Sequence, residues 1–141
     1  MTLVFWDTML FIYLLQGDSE FSDRVARLRR SSLERGDQIC TSALALGEVL
    51  AGVYRDKTHE DADRVRAGIL AGGVKILPFD GTASDIFGRI RAAHRTAAAD
   101  SIHLACAAVA GVDLFLTGDE KLLKLKIPGI KFMGGLDTNI L

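Results

Sequence analysis

Proline and cysteine are scarce in this chain, with two of each, and both shortages narrow what it can be. With so little proline, no low-complexity tract and no internal repeat, nothing reads as a linker, and residues 1–141 are expected to form one domain. Cys40 and Cys106 each stand among apolar residues and not in a Cys-x-x-Cys pair. That argues against a disulfide framework or a zinc cluster and leaves two reduced core thiols. Charge of one sign is lacking too. The formal net charge is −1, so no global field draws a polyanion, and contact with nucleic acid would need local patches. Two are visible: Arg24, Arg27, Arg29, Arg30 and Arg35, and then Lys121, Lys124, Lys126 and Lys131.

A long apolar run is also missing. The N-terminal stretch MTLVFWDTMLFIYLL has no basic residues ahead of it, carries Asp7 in its middle and offers no small-x-small cleavage site, which is unlike a signal peptide. It is too short for a clean membrane span. No membrane association is expected, and the cytoplasm is the expected compartment.

What the chain does have is apolar content, 49% of its residues, ample for a core. Leu3 to Trp6 is a short β-prone run that passes directly into a helical stretch, Thr8 to Leu15. Phe21 to Arg35 has the spacing of an amphipathic surface helix ended by Gly36, and Ile39 to Thr41 makes a second strand. Thr41 or Ser42 can cap the following helix, ALALGEVLAGV, which is apolar nearly all round and is expected to be buried. A more polar helix, Thr58 to Leu70, leads through Gly72-Gly73 to a strand at Val74 to Leu77. Helices over Asp80 to Thr96 and Asp100 to Ala110 follow, the latter stopped by Gly111, then strands at Leu114 to Thr117 and Ile130 to Met133. Strands alternating with helices predict an α/β three-layer sandwich, with a mostly parallel sheet of four or five strands and helices on both faces.

In such sheets ligands bind beyond the carboxyl ends of the strands, so the position of an acid matters more than the motif around it. Asp7 directly follows the first strand and Asp119 follows the strand ending at Thr117; each can be a helix cap or turn acid. Glu48 lies on the helix face shared with Leu44, Ala45, Ala51 and Gly52, where an unpaired carboxylate is costly. A buried partner such as an arginine would explain it, as would a metal or catalytic role. Asp100, the single acid in AAADSIHLACAAVAG, can cap its helix or bind a cation. Taken together, acids at converging positions repel one another unless a divalent cation neutralises them. Hard oxygen ligands without neighbouring cysteine favour Mg²⁺ or Mn²⁺ over zinc.

The order and spacing of Asp7 in LVFWDTMLFIYLL, Glu48 in SALALGEVLAG, Asp100 in DSIHLACAA and Asp119 in LFLTGDEKL resemble the PIN-domain ribonucleases, and among them the VapC toxins of prokaryotic toxin–antitoxin pairs. The resemblance spans nearly the whole chain. It implies a PIN-like domain acting as a metal-dependent endoribonuclease, with Mg²⁺ or Mn²⁺ held by Asp7, Glu48, Asp100 and Asp119. It further implies an RNA substrate, a cognate antitoxin that plugs the acidic groove, and pairing into homodimers. Thr8 and Thr117 have hydroxyls placed either to hold a ligand or metal-bound water from behind or to make local turns. Two departures stand out: Met9 replaces an often small, polar residue, and Ala97-Ala98-Ala99 replaces a basic residue or proline often seen before the third acid.

His103 shares a helix face with Asp100 but is expected to hydrogen-bond locally, since Mg²⁺ prefers oxygen. His59 and His94 are expected to face solvent. A catalytically inactive PIN-like module that only binds RNA or protein is the alternative. A dehalogenase-like phosphatase would need a second aspartate two residues after Asp7, where Met9 stands.

Overall fold

The computed structural model describes residues 2–137; the ends of the expected domain, Met1 and residues 138–141, lie outside that range. Five strands, β1 (Leu3–Trp6), β2 (Gln38–Ser42), β3 (Lys75–Leu77), β4 (Leu114–Leu116) and β5 (Phe132–Gly134), form one sheet in the order β3-β2-β1-β4-β5. Every neighbouring pair is parallel. Parallel strands cannot be joined by tight turns, and the returns are made by helices. These are α1 (Thr8–Gln16), α2 (Glu20–Arg35), α3 (Ala43–Asp56), α4 (His59–Ala71), α5 (Gly81–Ala93), α6 (Ala98–Ala110) and the short α7 (Glu120–Leu123).

Alternation along β1 divides the core in two, because successive side chains of a strand point to opposite faces. Val4 and Trp6 join Leu10, Phe11, Val25 and Leu28 of α1 and α2, and Val49 of α3. Phe5 joins Cys40, Ile90 of α5, Leu104 of α6 and Phe115. Phe5 and Phe115 are register partners across β1 and β4, and their rings stack at 4.6 Å with planes 7° apart. Helices therefore cover both faces, and the expected three-layer sandwich is present. Both cysteines are buried and free, and desolvation pushes their thiols up, to about 12 for Cys40 and about 11 for Cys106, which keeps them protonated and unreactive. Among the described residues no helix is long and apolar enough to cross a membrane.

The structure corrects several local expectations. Helix α6 starts at Ala98, two residues before Asp100, because alanines favour helix and extend it backwards. Ala97 occupies the cap position without a side-chain bond, so Asp100 is not the cap but sits in the first turn. Helix α3 is less buried than its composition predicts: Ala45 and Val49 are enclosed, whereas Ala43, Gly47, Ala51 and Tyr54 are exposed, because no layer covers its outer side. Helix α5 ends at Ala93 and not Thr96, and α7 was not expected. Strand β5 begins at Phe132, because Gly129 (φ 99°) turns the chain against α6, where an added Cβ would lie 2.6 Å from the Ala108 carbonyl oxygen, and Ile130 bonds back to Ile127 within that turn.

Candidate active site

The parallel register brings the carboxyl ends of β1, β2 and β4 side by side, and the next residues are Asp7, the start of α3, and Thr117. Asp7 is buried and caps α1: its Oδ1 accepts the Thr8 N–H at 2.8 Å, and its Oδ2 accepts from the Thr117 hydroxyl at 2.7 Å. Thr117, fully buried, in turn accepts the Asp119 N–H at 3.0 Å, so one side chain fixes the first acid and the loop of the fourth. Asp119 caps α7 through the Lys121 N–H at 2.9 Å. Both the capping and the turn roles foreseen for these acids are real. A carboxylate oxygen has two acceptor positions, so capacity for a further ligand remains.

Glu48 sits at the rim, its side chain 39% exposed, and its partner is not an arginine. Its Oε1 accepts from the Thr8 hydroxyl at 2.9 Å and from His103 Nε2 at 2.8 Å. His103 is 2% exposed, and its Nδ1 lies 2.7 Å from the Ser42 hydroxyl. Ser42 already accepts the Ala45 N–H as the cap of α3, so its own proton is free for Nδ1, and in that tautomer Nε2 carries the N–H that points at Glu48. Ser42, His103 and Glu48 thus form a directed chain in which every proton has an acceptor. The local bonding expected of His103 is replaced by bonds to residues 55 and 61 positions away. No sequence signal reports that; its spacing from Asp100 only placed it on the right helix face.

Asp100 differs from the other three, since neither of its oxygens accepts a hydrogen bond among the described residues. Burial raises its carboxyl above the usual range, and the charges of Asp7, Asp119 and Glu48 raise it further against a lowering by His103. The four acids lie close enough for the other three charges to act on Asp100. They line a single pocket of about 460 Å³, together with Thr8, His103, Met9 and Arg55. All four acids expected from the sequence are therefore brought together, with Thr8 and Thr117 behind them. Arg55, exposed at the pocket wall, was not foreseen.

Among the described residues no group of three or more His, Cys, Asp or Glu side chains is disposed to hold a metal ion as it stands. The donor set nonetheless fits a hard divalent cation: it is all carboxylate oxygen, and a cation would offset both the burial of Asp100 and the like charges around it. A second cavity, about 340 Å³, lies between α1, α2 and α4; Phe11, Leu15, Val65 and Ile69 line it with Arg29 and Arg64, and no acid does. Its apolar walls suit a protein partner and have no part in carboxylate chemistry.

Fold and site together define a parallel α/β sandwich with an acid pocket at the carboxyl ends of its strands. The sequence matches the PIN domain family over residues 4–128, and the chain belongs to that family. No curated protein matches it at a significant level. Among solved structures it is similar to a DNA-bound VapBC from Salmonella typhimurium, at TM-score 0.75 and 20% identity over 96% of this chain and 99% of that one. It is also similar to VapBC2 from Rickettsia felis bound to a promoter DNA fragment, at TM-score 0.71 and 16% identity over 95% and 98%. A third is a sarcin–ricin loop cleaving VapC toxin of Mycobacterium tuberculosis, at TM-score 0.65 and 18% identity over 79% and 86%. At these identities the likeness is one of fold.

Proposed function

We propose that the chain is a metal-dependent endoribonuclease, the toxin of a type II toxin–antitoxin pair acting in the cytoplasm. The observation that carries this reading is the convergence of Asp7, Glu48, Asp100 and Asp119, from four separate segments, on one pocket in a PIN domain. These four would hold Mg²⁺ or Mn²⁺. Bound there, the ion supplies acidity to a water and charge stabilisation to phosphoryl oxygens. Thr117 holds Asp7, and Thr8 with His103 holds Glu48, so that these two carboxylates are oriented before anything binds. Asp100, which accepts no hydrogen bond among the described residues, keeps both oxygens available to the cation and its water.

An antitoxin partner is supported by the solved VapBC structures that share the fold, and the apolar cavity beside α1, α2 and α4 gives such a partner surface to bury. The open side of α3 leaves room for a homodimer contact. A binding-only reading draws on the lack of a ready-made metal cluster among the described residues and on Met9, 41% exposed at the pocket wall.

The deciding experiment is cleavage of a total RNA pool. Asp7→Asn and Asp100→Asn should each abolish Mn²⁺-dependent cleavage, a loss of 100-fold or more on the order expected when a catalytic acid is removed, with circular dichroism unchanged. Unchanged cleavage in either variant overturns the assigned site. RNA binding that survives chelation with no cleavage at any metal concentration selects the binding module.

A further inference from the structure

The acid pocket does not stand alone. It shares Asp100 and Asp119 with a neighbouring depression of about 530 Å³, which His94, Arg95, Thr96 and Lys121 also line. That depression in turn shares Leu125 with another of about 530 Å³ beside β5, lined by Lys124, Lys126, Lys131 and Phe132. Beyond Asp100 and Asp119, neither depression has an acid in its lining. Lys131 is engaged with Asp113 at 2.8 Å, but Arg95, Lys121, Lys124 and Lys126 are exposed and have no ion pair among the described residues. Phe132 is 69% exposed, the most exposed of the large apolar side chains among the described residues, on a strand at the edge of the sheet.

We infer that this run of depressions is the track for single-stranded RNA leading to the acid pocket, with the phosphate backbone passing along Arg95, Lys121, Lys124 and Lys126 and one base stacked on Phe132. The inference rests on the nuclease reading for its substrate class and adds the surface that holds it. Three physical points favour this occupant. A chain of net charge −1 gathers unpaired cations beside its acid pocket, where a polyanion must otherwise be repelled by four carboxylates. Cations tracking a backbone beside an aromatic ring are the combination that binds single strands, since every base has a face to stack. Stacking on a protein ring also requires an unpaired base, which a duplex does not offer.

The other basic cluster supplies a control. Arg24 and Arg35 are tied into ion pairs, whereas Arg27 and Arg30 are exposed on α2 and line neither the acid pocket nor its neighbours.

The test is fluorescence anisotropy with labelled single-stranded RNA of about ten nucleotides, in EDTA so that nothing is cut, over a series of salt concentrations. The K121A/K124A/K126A variant should lower the slope of log affinity against log salt by about 2, three contacts at about 0.7 each. F132A should weaken binding by roughly tenfold. R27A/R30A should bind as the wild type does. An unchanged slope in the lysine variant, an equal loss in the arginine variant, unchanged affinity in F132A, or preference for an acidic peptide over RNA overturns the track. The nuclease reading is separable in the same proteins. Metal-dependent cleavage by a protein whose lysine variants bind normally sinks only the track, and impaired lysine variants of a protein that never cleaves sink only the nuclease.

Discussion

His103 is bonded at both ring nitrogens although it is almost wholly enclosed, to Ser42 at 2.7 Å and to Glu48 at 2.8 Å. Replacing it by leucine leaves a buried hydroxyl and a carboxylate short of a partner, which costs about 1–3 kcal/mol of stability. It also frees the Glu48 side chain, so affinity for Mn²⁺ should fall by roughly tenfold or more, as when a supporting hydrogen bond behind a ligand is lost. His103→Gln keeps an N–H able to reach Glu48 and should recover most of the metal affinity. Urea unfolding and calorimetry read the two effects separately; equal Mn²⁺ affinity in His103→Leu and the wild type would contradict a holding role for the ring. At this scale the acids were legible because each stands at a strand end or on a core-facing helix surface. Their partners were not, since Thr117 meets Asp7 across 110 positions and His103 meets Glu48 across 55. Of the readings open for Glu48, a buried partner is present, but it is a histidine with a threonine and not an arginine, which only the folded contacts reveal.

At the scale of elements, the strands were legible from their apolar runs, and the alternation of Val4, Phe5 and Trp6 between two cores matches a strand covered on both faces, here paired on either side with β2 and β4. The stacked pair Phe5 and Phe115 joins the two strands that carry Asp7 and Thr117 at their ends. Phe115→Ala should therefore cost about 3–5 kcal/mol, measured as a lowered urea midpoint, and loosen the Asp7–Thr117 bond with it. A cost below 1 kcal/mol would mean that this face of the sheet is not packed as described. Helix ends were harder to read. Asp100 looks like a cap in the sequence, yet the alanines before it continue the helix, and the first-turn position leaves its carboxylate free for the pocket while still favoured by the helix N-terminus. The outer side of α3 misled for a different reason: apolar composition predicts burial only where another layer lies against it, and none does there.

For the whole molecule, a near-zero net charge conceals a separation of signs, with four acids in one pocket and, beside it, Lys121, Lys124 and Lys126, which have no ion pair among the described residues. The three-layer architecture was readable because strands and helices alternate; the neighbourhood of acids and lysines was not, because it depends on how α6, α7 and β5 are placed. The proposed nuclease activity requires a divalent cation among the four carboxylates. Binding of that cation should depend on pH: it needs ionised Asp100, whose carboxyl is raised by burial and then by the neighbouring acids, so affinity should weaken on acidification sooner than at an unshifted carboxylate. Calorimetric titration of Mn²⁺ into the wild type and Asp100→Asn at neutral and mildly acidic pH tests this most directly. Binding by the wild type that weakens on acidification and is nearly abolished in Asp100→Asn is the predicted result; equal binding by both proteins, or none by either, would contradict it.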